Sequence, residues 1–249
     1  MAKQKSGINW GKFEPVEQVE RYHLIYRSFG WDKTGKNHFG FTMPGPILGL
    51  YFDPGGTKGV VEKFLKGDGV AKREIRARHY RFNKARDSQD DAIERKEQFV
   101  EDFYHALEVA RSIQWDETET WEMFRHAEFG RESGVQRDYG PLNGLYRNMI
   151  QAAYDANVNL QLIQKVKVKY KNDKPTDELN PQGFQMAGNL VQVSLEHSFD
   201  EDEEGDERFR VKIIKARQRT DIWGEAFGNM TFQQLGTLIY PESNEEDWE

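Results

Sequence analysis

The sequence predicts an α/β fold, a mainly parallel sheet flanked by helices, and three observations predict it. Short runs rich in aromatic and β-branched residues alternate with longer segments of helical periodicity, the pattern of strands joined by crossover helices. A G-x-x-x-x-G-K-N string at residues 30–37 follows directly on one such run. The chemically notable residues, from Gly30 to Lys36 and then Asp53, Asp116, Glu117 and Gln164, fall at the carboxyl ends of the expected strands. That is the edge at which open parallel sheets bind ligands.

Residues 22–29, Tyr-His-Leu-Ile-Tyr-Arg-Ser-Phe, read as the first strand, and 36–43 as a short helix that Pro44 stops. A buried strand is expected over 46–53, ending in an acid before Pro54-Gly55-Gly56. Residues 75–82 alternate Ile75, Ala77, His79 and Tyr80 with arginines, which suits a strand with one wet face. Over 88–110, Ile93, Phe99, Phe103, Leu107 and Ala110 recur at helical spacing behind Ser88, an N-cap residue type. A strand over 111–117 ends in two acids, with a helix expected from Trp121; a helix over 141–156 and a strand over 158–164 follow. Residues 190–197 and 209–214 flank an acidic octet and read as a β-hairpin. One domain over 1–240 is expected, with 1–18 as an N-terminal extension and 241–249 as an acidic C-terminal tail.

The string Gly30-Trp31-Asp32-Lys33-Thr34-Gly35-Lys36-Asn37-His38 has the form of a phosphate-binding loop. In such a loop the glycines let backbone N–H groups converge on a triphosphate, and the lysine adds a point charge at the terminal phosphates. The hydroxyl residue that normally holds magnesium is replaced by Asn37. Its amide oxygen suits a hard cation, so nucleotide binding is a stronger expectation than hydrolysis. A chance match in a surface turn is the plainer alternative.

The chain has no cysteine, which excludes disulfides and thiolate chemistry, and no tight histidine spacing points to zinc. No apolar run approaches the roughly 18 residues that a membrane helix needs, and the first seven residues lack an apolar signal core, so a cytoplasmic location without a membrane partner is expected. Seven acids lie at 200–207 and five more at 242–249; without those twelve charges the rest carries +5, against −7 for the whole chain. An anionic ligand is therefore compatible with an acidic protein. The acidic runs are either solvated, as a hairpin tip and a disordered tail, or the tail recruits a protein partner.

Asp116 suits the acid that orients Mg²⁺, with Asn37 as the second metal-side group, and Glu117 is the best candidate for a general base, ahead of Asp53 and Glu119. Asp116 also suits a helix N-cap, and Glu119 a first-turn acid favoured by the helix dipole.

On these residues the chain resembles RecA-type P-loop ATPases, and in particular the bacteriophage nucleotide-binding proteins of the recombination and single-strand annealing type. Residues 22–26 leading to Gly30, then Gly35-Lys36 and Phe39 to Ile47, resemble their opening. Trp115-Asp116-Glu117, Trp121, Phe124, Ala127-Glu128-Phe129-Gly130, Tyr139-Gly140 and Tyr146 resemble their Walker B region. The similarity runs over about 19–219.

The resemblance implies a RecA-like core that binds ATP and Mg²⁺ between subunits of a homo-oligomer, a ring or filament, in the host cytoplasm if phage-encoded. It implies that Gln164 senses the terminal phosphate and that Lys215 and Arg217 reach a neighbouring subunit's nucleotide, where a cation stabilises charge on the transferring phosphoryl group. Lys215 and Arg217 also suit a basic strand that balances the acidic octet. Gly55 stands near the place of the family's catalytic glutamate.

The loops implied to touch single-stranded DNA are 130–140, with Arg131 and Arg137, and 165–183, with Lys165, Lys167, Lys169, Lys171 and Lys174. Alternation from Lys165 to Lys169 puts three ammonium groups on one side of an extended segment beside Tyr170. A lysine-protected edge strand is the alternative. The expected function is thus a DNA-acting ATPase of recombination or replication; the other reading is a nucleotide-binding structural or regulatory protein with little turnover.

Overall fold

The computed structural model describes residues 22–52, 58–132, 139–171, 174–201 and 207–249. Asp53, Gly55 and Arg137 lie outside them. The elements run β1 (Ile25–Gly30), α1 (Lys36–Gly40), β2 (Ile47–Tyr51), α2 (Lys58–Lys66), β3 (Ile75–His79), α3 (Gln89–Val109), β4 (Ser112–Asp116), α4 (Glu117–Phe129), α5 (Gly140–Asp155) and β5 (Asn159–Gln164). They continue with β6 (Val166–Lys171), β7 (Lys174–Pro181), α6 (Ala187–Leu190), β8 (Val193–Glu201), β9 (Glu207–Ala216), β10 (Ala226–Gly228) and α7 (Phe232–Ile239).

Eight strands form one sheet in the order β3-β2-β4-β5-β1-β8-β9-β10. All pairings from β3 to β8 are parallel, and the last two, β8 with β9 and β9 with β10, are antiparallel. The expected mainly parallel sheet, flanking helices and late hairpin are therefore present. Parallel strands must be covered on both faces, and their side chains divide accordingly. Ile25, Ile113, Trp115, Leu160 and Leu162 pack against Phe99, Phe103, Phe124 and Tyr146 of α3, α4 and α5. Leu24, Tyr26, Leu195 and Ile213 face the other way, toward Phe39 of α1 and Phe232 and Leu235 of α7.

Local chemistry sets the element ends. Ser88 caps α3 with a full capping box, its hydroxyl accepting from the Asp91 N–H while the Asp91 carboxylate accepts from the Ser88 N–H. Such a cap contributes about 1 kcal/mol. Pro141 sits in the first turn of α5, where its missing N–H costs nothing. The α-helical part of α1 ends at Gly40, short of the expected Met43, because the chain tightens into i→i+3 turns, Thr42 N–H to Phe39 O and Met43 N–H to Gly40 O, before Pro44.

Three further expectations change. Helix α4 starts at Glu117 and not near Trp121, so the strand ends in one acid and the helix begins with the other. Strand β3 is an edge strand on which Arg76, Ala77, Arg78 and His79 are all exposed, rather than one with a single wet face. The acidic end is not a disordered tail. Residues Glu245–Trp248 form a capped 3-10 turn, and Trp248, 1% exposed, packs over Gly236 and stacks on Tyr22. Among the described residues no helix is long and apolar enough to cross a membrane.

Candidate functional site

The strand register brings the predicted residues to one edge. Phe29 of β1 lies beside Gln164 of β5, Asp116 of β4 beside Ile163, and Gly30 beside His197 of β8. Strand β5 alone separates β1 from β4, so the 30–38 loop and Asp116 stand about 10 Å apart across two inter-strand spacings.

Residues Gly30, Trp31, Asp32, Lys33, Thr34, Gly35, Lys36, Asn37 and His38 form the turn from β1 into α1. Gly35 holds φ +83° at the N-cap, and a Cβ there would meet the Phe209 ring at 2.6 Å. A left-handed conformation and that contact both require glycine. Thr34 is buried and donates to Trp31 O at 2.8 Å, which cinches the loop. Lys36 is also buried; its ammonium donates to Gly30 O at 2.8 Å and Trp31 O at 2.6 Å. Burial brings its pKa down to about 8, against the pull of Asp32 and Asp116.

A polar network beneath α1, absent from the sequence reading, fixes the loop to the sheet. His197 Nε2 pairs with Ser28 Oγ at 2.9 Å, and Gln161 Nε2 donates to Ser28 Oγ at 2.9 Å and to Lys36 O at 3.0 Å. Gln114 Nε2 donates to Asn37 O at 3.3 Å, and Gln114 Oε1 accepts from the Tyr51 hydroxyl. Five strands, β8, β1, β5, β4 and β2, thus each send one polar side chain to this layer. Its sequence signal is polar residues at alternate positions of apolar strands, Ser28, Gln114 and Gln161, facing opposite to Ile113, Trp115, Leu160 and Leu162.

The acids differ in setting. Asp116 is half-buried, and its side chain faces the Glu119 N–H without closing a capping hydrogen bond. Burial, with Glu119 beside it, raises its pKa to about 7. Glu117 is 0% exposed. Its Oε2 accepts from Gln164 Nε2 at 2.7 Å and its Oε1 from the Phe184 N–H at 2.7 Å. Gly183, at φ +93°, brings the backbone so close that a Cβ would lie 2.2 Å from Glu117 Oε2. Burial raises the Glu117 pKa to about 8 despite those two donors.

Within the 165–183 segment, β6 and β7 form a two-stranded antiparallel sheet of their own. Its root is pinned to the start of α4: the Lys165 N–H donates to Thr118 Oγ1 at 2.9 Å, and the Lys165 ammonium pairs with Glu119. Lys169 pairs with Glu178 at 2.6 Å, while Lys167 and Lys171 are exposed beside Tyr170, which is 66% exposed. Arg131 is not gathered to this root. It follows the end of α4, about 18 Å along the helix from Glu119, and donates to Ala85 O.

Lys215 and Arg217 lie far from the 30–38 loop. Val211 stands level with His197 and hence Gly30, whereas Lys215 stands beside Ser194, about 13 Å further along β9. Arg217 donates to Asn189 O.

Among the described residues no group of three or more His, Cys, Asp or Glu is disposed to hold a metal ion. Mg²⁺ is ordinarily held by one or two carboxylates together with substrate phosphates, and the donor set of Asp116 and Asn37 beside a buried lysine fits that chemistry. Comparison with protein-family models and with characterised proteins finds no match for this chain.

Proposed function

We propose that the chain is a RecA-like P-loop ATPase that binds ATP with Mg²⁺ at the 30–38 loop and works on single-stranded DNA in recombination or replication. One observation carries the reading. A buried lysine in a glycine-built turn at the end of β1 shares a sheet edge with an acid on β4, and the strand between them ends in Gln164.

In this arrangement Lys36 exchanges its carbonyl partners Gly30 and Trp31 for phosphate oxygens, and the polar layer beneath α1 keeps the loop amides in place. Asp116 and Asn37 would hold Mg²⁺, which supplies charge neutralisation at the phosphates. Glu117, which burial holds protonated up to about pH 8, takes the proton of the attacking water only after it has released its own proton and one of its two oxygens has left Gln164 or Phe184. Gln164 and the pinned root of β6 link that release to the lysine face of the hairpin, where Lys167 and Lys171 would meet DNA phosphates and Tyr170 a base. Lys215 and Arg217 would act only on the nucleotide of an adjacent copy.

A second reading is favoured by one specific observation, the complete burial of Glu117 with both oxygens bonded. It makes the protein a nucleotide-binding structural or regulatory component with little turnover. Binding and hydrolysis of Mg–ATP, with and without single-stranded DNA and with light scattering on the same samples, separate the two. DNA-stimulated turnover with assembly supports the ATPase; tight binding without turnover supports the second reading. A Lys36→Ala variant that binds and hydrolyses ATP like the native protein would refute both.

A further inference from the structure

The two sides of the phosphate loop differ in chemistry. Toward β4 stand the acidic side chains of Asp116 and Glu119, with the sealed carboxyl of Glu117 behind them. Toward β8 and β9 stands a row of rings: Phe199 and Phe209 meet edge to face at 5.5 Å, Phe209 stacks on His38 at 5.6 Å, and His38 meets Phe64 at 5.2 Å. The row reaches the loop itself, since the Phe209 ring lies against Gly35. Strand β8 continues four residues beyond His197, the partner of Gly30, so the hairpin rises about 13 Å past the loop as a wall. Phe199, Phe209 and the inward His197 share one face of that hairpin by the period of two and by cross-strand register. Phe199 is 43% exposed, and Phe209 and His38 are half-buried.

We propose that this wall of Phe199, Phe209 and His38 seats the base of the bound nucleotide, which makes the ligand a nucleoside triphosphate and not an inorganic polyphosphate. The inference rests on the phosphate-loop reading above. A nucleotide is polar at one end and flat and aromatic at the other, and the site has the same asymmetry about Lys36. Rings that only sealed the hairpin would be covered, whereas Phe199 leaves much of its surface to solvent next to the loop. Base–aromatic stacking is sequence-tolerant because every base has a π-face, so the wall favours larger purine rings over pyrimidines without reading base edges.

The test is calorimetric titration of the full-length protein with Mg–ATP and with Mg–tripolyphosphate. The native chain is expected to bind ATP at least tenfold more tightly than tripolyphosphate. Phe199→Ala should weaken ATP by about tenfold while leaving tripolyphosphate unchanged, and Phe199→Tyr should retain the ATP affinity. Unchanged tripolyphosphate binding also certifies that the loop of the variant is folded. Equal affinity of the native chain for the two ligands, or equal weakening of both by Phe199→Ala, overturns the inference and leaves the phosphate loop standing. Failure of the native chain to bind either ligand overturns the phosphate-loop reading, and the base wall with it.

Discussion

Replacing Glu117 by Gln should make the fold less sensitive to alkali. The carboxyl is fully buried, and burial is the main reason that it keeps its proton up to about 8, against an ordinary 4.5; the Phe184 N–H and the Gln164 amide act in the opposite sense and Asp116 adds to the rise. The folded-state pKa lies above the unfolded one, so between those two pH values the folded chain holds a proton that the unfolded chain has released. The contribution of this group to stability is therefore full at acid pH and declines as pH rises through the window. At about 1.4 kcal/mol per pH unit the decline is on the order of 4–5 kcal/mol.

Gln carries no charge, so that decline disappears. Its oxygen can accept from the Phe184 N–H, and its NH₂ can donate to Gln164 Oε1 once that amide turns over. Gln164 Oε1 is buried and makes no hydrogen bond among the described residues. His197 titrates in the opposite sense. Burial lowers its pKa from 6.5 to about 3, so its contribution is present above pH 6.5 and lost as pH falls, which distorts the native profile taken alone. The readout is the difference in unfolding free energy between variant and native protein, from urea titrations in metal-free buffer at about pH 5 and about pH 8.5. The variant should gain several kcal/mol relative to the native chain between the two. A difference that does not change with pH would refute a buried, protonated Glu117.

Trp248→Ala should cost about 3–5 kcal/mol of stability by urea unfolding, because that side chain closes the core over Gly236; an unmoved midpoint would mean that the C-terminal turn is not part of the fold. Gly40→Ala places a Cβ 1.9 Å from Gln161 Oε1 and 2.3 Å from Gln114 Nε2. A stability loss of about 1–3 kcal/mol together with weaker ATP binding is expected, and normal ATP affinity would show that the polar layer does not position the loop. Lys167→Glu and Lys171→Glu should each weaken single-stranded DNA binding and flatten its salt dependence by about one unit of slope or more. DNA affinities equal to the native at every salt concentration would remove the hairpin from the interface.

Much of the sheet was legible because parallel strands write themselves as short apolar runs and amphipathic helices as periodic stripes. Helix α3 with its Ser88 cap, β5 ending at Gln164, and the acids at the end of β4 all follow from local chemistry. The start of α4 is not legible in the sequence because Glu117 to Glu119 carry no apolar periodicity, while Thr120 and Trp115 bond across the turn and draw the helix back to the strand end. The ordered C-terminus is not legible either, because charge density outweighs one tryptophan along the linear chain, although burying that one large ring is enough to anchor five exposed acids. The polar layer under α1 was visible only as isolated Ser and Gln residues, each unremarkable alone.

By itself the sequence determined the class of fold, the glycine-built loop with Lys36, and the placement of Asp116 and Gln164 at strand ends, because these depend on residue type and short-range spacing. Tertiary structure alone decided that β5 inserts between β1 and β4, that Glu117 is sealed by Gln164 and Phe184, and that Phe209, from the other end of the chain, rests on Gly35. It also put Lys215 and Arg217 at the far end of β9. Each of these is a contact between segments tens to more than a hundred residues apart, set by register and burial across the whole sheet, and no local pattern encodes it.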